Sequence, residues 1–406
     1  MTHPSATPNP AHVDIVLAAG GTGGHVFPAQ ALAAELLRRG RQIVLITDRR
    51  GTDYETAFVG VPVLGVAAGT FARAGRLGQF RVLFDIARGI IQARRHLARL
   101  RPRVVIGFGG YPCLPAMMAA LSLGIPCCIH EQNAVLGRVN RLLAGRVKVI
   151  AGALPLSTAR DARLAAGLVM TGNPVREAIL AVANAPYAEP GVTGPLNLLV
   201  TGGSQGASIM GDVVPAALAA LPEILRKRLR VIQQVRPADL ERVGAFYRDH
   251  GIEADCAAFI TDMPRHLASA HLVIARSGAS TIAELGVVGR PSILVPLPTA
   301  MDDHQTANAR ALAEGGGAWL MPQTEFTADA LARRLTHLAG APSELSVAAA
   351  AAHAFGRPQA ASLLADVVEA IASNGSAVRK SPSASHPDNQ APRPPVGMQA
   401  SAEAAA

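Results

Sequence analysis

Four times along this chain an apolar run ends in a glycine-rich turn and is followed by a helix-like segment. The turns lie in LAAGGTGGHVFPA (17–29), VVIGFGGYP (104–112), LNLLVTGGSQGAS (196–208) and LVIARSGASTIAELG (272–286). Short apolar runs of this kind are typical of buried strands, and their alternation with helices predicts parallel sheets built from βαβ units. We therefore expect an α/β protein with two doubly wound parallel-sheet domains that face each other across a cleft.

The first turn illustrates the pattern. We expect a strand over residues 13–18 and a helix from Pro28 to Leu37 that ends at Gly40. Glycines between the two elements let backbone N–H groups approach a ligand, and the start of a helix favours negative charge. Ligands of doubly wound sheets bind at the carboxyl ends of the strands, where all four turns fall.

Composition shifts suggest the domain boundaries. We expect a flexible N-terminus over residues 1–12, a first domain over 13–175, a second over 176–353 and a disordered tail over 373–406 that is rich in Ser, Pro and Ala. The hinge is expected at TGNPVRE (171–177), and the Ala-rich segment 346–355 is expected in a terminal helix that packs across the domains.

Cysteine and hydropathy patterns exclude several classes of protein. The four cysteines form no CxxC pair and have no histidines at ligand spacing, which argues against a disulfide framework or a zinc site. We expect no secretory signal. Residues 104–129 carry no charge, but their glycines and prolines fit a strand, loop, helix and second strand better than a membrane-spanning helix.

Positive charge is concentrated in one segment. The chain has a net charge of +9. Nine arginines and only one acidic residue lie between Phe71 and Arg103, so this segment carries nearly all of the excess positive charge, and its arginines are interleaved with apolar side chains. Such a segment is typical of an anionic membrane surface, although an ordinary amphipathic helix with solvated arginines has the same pattern. A nucleic acid partner is not expected, because the segment contains no recognisable binding module.

The glycine turns match no common nucleotide motif. GGTGGH is not G-x-G-x-x-G, no turn carries GK[ST], and no D-x-D pair occurs to hold a metal-bridged diphosphate. A diphosphate would therefore be neutralised by backbone amides and helix N-termini. Ser204 and Gln205 could donate to its oxygens, and Glu284 could accept hydrogen bonds from ribose hydroxyls. The same residues also fit a tight turn with a helix cap and a favourable acid near a helix start.

His25 is the first candidate for a catalytic base. A histidine beside an anion-binding turn titrates near neutral pH and can take a proton from a hydroxyl nucleophile. The alternative is a structural hydrogen bond to the turn. The HEQN segment, His130 to Asn133, is expected to be a loop that faces substrate. Glu131 is the second candidate base, or else a residue that positions the His25 turn.

Taken in order, the motifs GGTGGHVFPA, GFGGYP, GIPCCIHEQNAVLGRVNR, TGNPVR, TGGSQGA, RSGASTIAELG and DDHQTANA resemble the MurG family of glycosyltransferases over residues 13–372. The resemblance implies a GT-B fold of two Rossmann-like domains, with the lipid acceptor in the first, UDP-GlcNAc in the second, and a C-terminal helix, about 354–372, that returns to the first. It implies a metal-independent, inverting transfer without a cofactor. In the implied reaction, the C4 hydroxyl of an N-acetylmuramyl pentapeptide on undecaprenyl pyrophosphate would attack the anomeric carbon of GlcNAc and release UDP. This step would belong to peptidoglycan synthesis, which underlies cell shape and cell division.

The resemblance also implies residue roles. His25 and Glu131 are its catalytic candidates. The donor would be bound by Thr22, Gly23, Gly24, Asn133, Arg176, Ser204, Gln205, Ile260, Ala279, Ser280, Thr281, Glu284, His304 and Gln305. The acceptor diphosphate would face Gly109, Gly110 and Tyr111. A patch for the cytoplasmic face of the bacterial inner membrane, where other wall-synthesis proteins are possible partners, would comprise Arg73, Arg76, Phe80, Arg81, Leu83 and Phe84. The segment VIQQVRPADL departs from the family pattern, so Gln233 and Gln234 are assigned no role.

Four alternatives remain open from the sequence. A glycosyltransferase of the same fold could act on another lipid such as diacylglycerol, although HEQN and GNPVR argue against it. A UDP-GlcNAc epimerase shares the two-domain fold and would turn over donor without acceptor. A nucleotide-sugar-binding scaffold would bind UDP without turnover, and a dehydrogenase would bind NAD.

Overall fold

A computed structural model describes residues 13–48, 58–69, 76–156, 164, 167–203 and 206–374, with the backbone alone described for 76–80 and for residue 374. Arg73, Ser204, Gln205, residues 1–12 and residues 375–406 lie outside this description. Arg76 and Phe80 are placed in a helix, without their side chains.

The first domain is built on a parallel sheet. Its seven described strands run in the spatial order β3-β2-β1-β4-β5-β6-β7, and all neighbours pair in parallel. The strands are β1 (Ile15–Ala18), β2 (Ile43–Asp48), β3 (Val63–Val66), β4 (Val104–Gly107), β5 (Cys127–Glu131), β6 (Val149–Gly152) and β7 (Leu168–Met170). The strand order reverses between β1 and β4, so the crevice of a doubly wound sheet lies at the ends of these two strands.

The second domain repeats this plan. Its six described strands run in the order β10-β9-β8-β11-β12-β13, again all parallel, with the reversal between β8 and β11. The strands are β8 (Leu196–Thr201), β9 (Leu229–Gln234), β10 (Glu253–Ala257), β11 (Leu272–Ala275), β12 (Ser292–Leu294) and β13 (Ala318–Leu320). The predicted class of two doubly wound parallel-sheet domains is confirmed.

Helices cover both faces of both sheets. Those of the first half are α1 (Gly23–Arg38), α2 (Arg76–Leu100), α3 (Leu114–Ser122), α4 (Arg138–Leu143) and α5 (Glu177–Leu180). Those of the second half are α6 (Ser208–Ala219), α7 (Glu223–Arg226), α8 (Leu240–Asp249), α9 (Met263–Ser269), α10 (Ala279–Val288), α11 (His304–Glu314), α12 (Ala328–Gly340), α13 (Pro342–Phe355) and α14 (Ala360–Asn374). Short 3-10 turns lie at 111–113, 237–239 and 301–303.

The first helix begins earlier than predicted. It starts at Gly23 rather than Pro28, because the backbone N–H groups of His25 and Val26 already donate to the carbonyl of Thr22. Glycine has a low helix propensity, which made the segment read as turn. The turn itself is shorter, and within it Gly21 has a φ of +90°. His25 therefore lies in the first turn of a helix.

The central strands of the first sheet are buried on both faces. In β1, Ile15 and Leu17 pack beneath α1 and α14, whereas Val16 and Ala18 pack beneath α2 and α3. Strands buried on both faces have continuous apolar sequences.

The predicted strand, loop, helix and strand over 104–129 is observed as β4, the 3-10 turn, α3 and β5. Among the helices described here, none is long and apolar enough to cross a membrane.

The C-terminal segment crosses between the domains. The Ala-rich residues 346–355 were predicted to belong to the terminal helix, which is wrong, because they form the separate helix α13 on the second domain. The chain then crosses at Gly356, where a Cβ would lie 2.5 Å from the carbonyl oxygen of Gly286. The returning helix α14 begins at Ala360 and extends through Asn374, into the region predicted as tail. It packs on α1 of the first domain.

Arg39 fastens the returning helix to the first domain. Its guanidinium donates to Glu35 at 2.7 Å, to Asp366 at 2.6 Å and to Glu369 at 2.7 Å. It also donates to the hydroxyl of Ser362 at 2.8 Å. Because its side chain is only 18% exposed, these charge-assisted hydrogen bonds are partly shielded from water.

We expect Arg39→Met to lower the free energy of unfolding by about 2 kcal/mol, because three carboxylates lose one shared partner. Urea denaturation measures the change. The matched control is Arg38→Met, which removes an arginine that is 73% exposed and paired with Glu35. We expect the control to leave the midpoint unchanged, and an equal loss in both variants would contradict the proposed fastening.

Candidate functional site

A cleft of about 410 Å³ lies where the ends of the first sheet face the second domain. Its walls come from the segments after β1, β4 and β5, from the start of α4, and from residues 301–304 of the second domain. The predicted residues that line it are Thr22, His25, Gly109, Gly110, Tyr111, Glu131, Asn133 and His304. The structure thus brings together both candidate bases, the predicted acceptor residues and part of the predicted donor set.

The ring of His25 is held between two glycines and a glutamine. Gly109 and Gly110 have φ values of +84° and +72°, and a Cβ on Gly110 would lie 3.1 Å from Cδ2 of His25. Glycine is therefore required for both the backbone conformation and the close approach of the ring. On the other side, Nδ1 of His25 lies 3.2 Å from Oε1 of Gln132. The Nε2 edge is beside Gly110 in the cleft.

The carboxylate of Glu131 organises the loop that follows β5. It is 1% exposed and accepts hydrogen bonds from Asn133 N (3.0 Å), Asn133 Nδ2 (3.1 Å), Gly137 N (2.9 Å) and Asn140 Nδ2 (2.8 Å). A carboxylate with four donors is committed to the loop. This geometry favours a positioning role for Glu131, but for the loop that follows β5 and not, as predicted, for the His25 turn.

His130 and Gln132 were expected to face substrate, which is wrong, because they are 0% and 1% exposed. Nε2 of His130 lies 3.0 Å from the carbonyl oxygen of Gly172, and Nε2 of Gln132 donates to Phe108 O at 3.0 Å. Burial lowers the pKa of His130 to about 4; the hydrogen bond to Gly172 acts in the opposite direction, and the nearby His25 lowers the pKa slightly further. His130 is therefore neutral at physiological pH.

Asn308 joins the two domains, and sequence reasoning missed it. This fully buried side chain of α11 donates to Asn133 Oδ1 at 3.0 Å and to Ser277 O at 3.2 Å. Its own Oδ1 accepts from Ala134 N at 2.9 Å. The motif DDHQTANA could have identified it: Asn308 lies one helical turn after His304, a predicted donor residue, and so shares a face of the helix with it.

The predicted donor residues of the second domain cluster around the start of α10. Arg176 donates to Glu284 at 3.0 Å, and its guanidinium lies 4.5 Å from the ring centre of Phe27, a residue of α1. Burial raises the pKa of Glu284, and Arg176 opposes the shift. Within the described chain, the buried hydroxyl of Ser280 and Nε of Arg176 have no hydrogen-bond partner.

The remaining predicted residues occupy nearby positions. Gly23 and Gly24 are the first residues of α1, and Ala279 and Thr281 lie in the first turn of α10. Ile260 is 7% exposed and packs into the core of the second domain.

Two of the predicted donor residues are the first two residues of α11. His304 bonds through Nδ1 to the carbonyl oxygen of Met301 at 2.7 Å, and Gln305 accepts through Oε1 from Leu297 N at 3.0 Å.

Family models match both domains. The model described as the glycosyltransferase family 28 N-terminal domain matches residues 15–151, and the model described as the glycosyltransferase family 28 C-terminal domain matches residues 197–364. The chain therefore belongs to glycosyltransferase family 28.

Relatives with assigned names and a solved structure indicate which member of this family the chain resembles. The chain is 55% identical over 361 residues to the UDP-N-acetylglucosamine–N-acetylmuramyl-(pentapeptide) pyrophosphoryl-undecaprenol N-acetylglucosamine transferase of Rhodospirillum centenum, covering 89% of this chain and 95% of the relative. It is 54% identical to the enzyme of the same name from Paramagnetospirillum magneticum, covering 89% and 98%. The crystal structure of MurG from Acinetobacter baumannii is 32% identical with a TM-score of 0.71, covering 88% of this chain and 99% of that one. The predicted resemblance to the MurG family is confirmed.

A more distant structure shares the fold. The UDP-GlcNAc 2-epimerase of Neisseria meningitidis matches with a TM-score of 0.61 at 13% identity, covering 88% of this chain and all of that one. At this identity the likeness concerns the fold alone.

The buried His130 predicts a loss of stability in acid. Because its folded pKa of about 4 lies below the usual 6.5, the unfolded chain binds the proton first as pH falls. The stability present above pH 6.5 is therefore lost as pH falls toward 4. We expect His130 to make the free energy of unfolding about 2 kcal/mol lower at pH 5 than at pH 7.

Urea denaturation of His130→Phe at both pH values tests this expectation. The variant should be less stable at pH 7 but should lack this share of the pH dependence. The exposed His250 supplies the control His250→Phe, which should keep the full dependence. An undiminished dependence in His130→Phe would assign the acid sensitivity to other groups.

Proposed function

We propose that this chain transfers N-acetylglucosamine from UDP-GlcNAc to the C4 hydroxyl of an N-acetylmuramyl pentapeptide linked by pyrophosphate to undecaprenol. The observation that carries the proposal is the 55% identity, over 89% of the chain, to a relative named for this transfer. The interdomain cleft supports it, since a transferase must bring an acceptor on one domain to a donor on the other.

The donor would lie on the second domain at the start of α10. The unpartnered Ser280 hydroxyl and the N-terminus of α10 suit an anion, and Arg176 adds a positive charge beside them. Glu284, paired with Arg176, would accept hydrogen bonds from ribose hydroxyls. This arrangement neutralises a diphosphate leaving group with backbone dipoles and one guanidinium.

His25 would act as the general base. As the C4 oxygen of the acceptor bonds to the anomeric carbon of GlcNAc, the hydroxyl proton passes to His25, and the bond from the anomeric carbon to the diphosphate oxygen breaks. Attack opposite the leaving UDP inverts the anomeric centre. The position of the His25 ring in the cleft beside Gly110 supports this role, while Glu131 would hold the loop that follows β5.

Acceptor-dependent release of UDP tests the proposal. We expect release from UDP-GlcNAc only when the lipid-linked muramyl pyrophosphate is present, and unchanged release in excess EDTA. Turnover without acceptor would indicate an epimerase or a hydrolase, and UDP binding without turnover would indicate a scaffold.

Substituting His25 separates the base from a binding role. We expect His25→Gln to lower kcat by about 10²-fold or more while the KM for donor changes by less than about twofold. The control His250→Gln alters an exposed histidine far from the cleft and should leave both constants unchanged. Equal losses in kcat and donor affinity would make His25 a binding residue.

We also propose that α2 rests on the anionic cytoplasmic face of the inner membrane. Arg81, Phe84, Arg88, Ile91 and Arg95 follow one another at helical spacing and are all exposed. The opposite stripe, which includes Val82, Ala93 and Leu97, is buried in the first domain. The helix thus has an inner apolar face and an outer stripe in which arginines alternate with Phe84 and Ile91. Such a stripe combines phosphate attraction with shallow insertion.

Vesicles that contain phosphatidylglycerol test this surface. Replacing Arg88 and Arg95 by Gln should weaken partitioning by about 30-fold, since each arginine near an anionic surface contributes about 1 kcal/mol. The matched control replaces the exposed Arg310 and Arg333 of the second domain by Gln, which removes the same charge elsewhere. Equal weakening in both variants would indicate attraction by net charge without a specific surface.

A further inference from the structure

We propose that Gln132 and His130 are positioning residues that hold His25 in its Nδ1–H tautomer and so leave Nε2 as the proton acceptor in the cleft. The inference rests on the proposed role of His25 as general base. It concerns three side chains in a continuous hydrogen-bonded series that runs from the cleft to the segment joining the two domains.

The orientation of the Gln132 amide is fixed by backbone carbonyls. Its Nε2 lies 3.0 Å from Phe108 O and 3.1 Å from His130 O. A carbonyl oxygen accepts hydrogen bonds, so the NH₂ group must be on this side. The amide oxygen Oε1 consequently points to Nδ1 of His25, 3.2 Å away.

His130 has the tautomer that agrees with this orientation. Its Nε2 lies 3.0 Å from Gly172 O, so Nε2 carries the proton of the neutral ring. Nδ1 then has a lone pair that faces Nε2 of Gln132 at 3.1 Å. The opposite tautomer would place an N–H against the NH₂ group of Gln132 and would remove the hydrogen bond from His130 to Gly172 O. Two buried groups therefore fix the same orientation of Gln132.

The tautomer of His25 follows from the last link. An amide oxygen can only accept, so Nδ1 of His25 must donate and must carry the proton when the ring is neutral. Nε2, on the ring edge beside Gly110, then has a lone pair directed to the cleft. A histidine without such a partner favours the Nε2–H form, in which this nitrogen is already protonated. When His25 takes the acceptor proton, the Gln132 oxygen continues to accept from Nδ1–H of the imidazolium.

The far end of the series lies in the interdomain segment. Gly172 has a φ of +82° and belongs to the residues between β7 and α5. A movement of this carbonyl would remove the partner of His130 and free its tautomer. The orientation of the His25 ring is therefore linked to the backbone at which the two domains join.

Ring-¹⁵N histidine NMR at about pH 8, where an unperturbed imidazole is neutral, tests the proposal directly. Comparison with His25→Gln assigns the His25 signals. We expect Nδ1 of wild-type His25 to have the shift of a protonated nitrogen and Nε2 that of an unprotonated one. In Gln132→Met the two should exchange, kcat should fall about tenfold or more, and the KM for donor should change by less than about twofold.

Gln233→Met is the matched control. Gln233 is likewise fully buried and bonds to Met210 O, but it lies in β9 of the second domain. This variant should leave the His25 signals and kcat unchanged even where it lowers the melting temperature, which separates a loss of packing from a loss of the tautomer.

Two results would overturn the proposal: an Nε2–H tautomer in wild-type His25, or unchanged His25 signals in folded Gln132→Met. The wild-type spectrum decides the first point even when Gln132→Met does not fold. Full turnover by His25→Gln together with an Nδ1–H tautomer in the wild type would refute the base and leave the hydrogen-bonded series intact.

Discussion

The buried carboxylate of Glu131 is the interaction on which the site depends. A carboxyl group that is 1% exposed is costly to bury unless hydrogen bonds replace its water, and four N–H donors from the loop and from α4 do so. These bonds fix the backbone from residue 131 to residue 137. On this backbone Gln132 turns inward to His25, and Asn133 turns outward to Asn308. One carboxylate therefore sets both the contact with His25 and a contact between the domains.

Three of the places at which the two domains are held together differ in kind. The segment around Gly172 joins them along the chain, Asn308 joins them beside the cleft, and the crossing at Gly356 passes the chain back against Gly286. The first and third contacts are made by backbone, whereas the second is a pair of side-chain amides. Arg141 and Asp302 also meet beside the cleft, 3.4 Å apart, so Asn308 is one of several side-chain contacts that an opening of the cleft would break.

Much of the fold could be predicted from the sequence because its signals are local. Apolar runs followed by glycine turns identified the strands that precede the four turns, and the ordered motifs identified the family. The start of α1 was misplaced because the low helix propensity of Gly23 and Gly24 is overridden by the packing of the helix on the sheet. The break between α13 and α14 was missed because its cause is the close approach of Gly356 to Gly286, which are distant in sequence.

The site was only partly predictable for the same reason. Motif position showed which loops meet, and His25, Glu131 and Asn133 do lie together. It could not show which side chains turn away from the cleft. His130 and Gln132 were expected to face substrate, but they are buried because their partners come from the segment after β4, the interdomain segment and α1. His25 and Gln132 are 107 residues apart, and Asn133 and Asn308 are 175 apart, so no local pattern encodes these pairs.

The position of α14 has a consequence for how the protein is made. Leu364 and Val368 of this last helix are fully buried in the same core as Ile15 and Leu17 of the first strand. Synthesis proceeds from the N-terminus, and domains generally fold as units while the chain emerges. Here part of one apolar face of the first domain, the part that α1 does not cover, stays exposed until the whole second domain has been translated. The order of the elements along the chain thus makes the N-terminal half the last to complete its core.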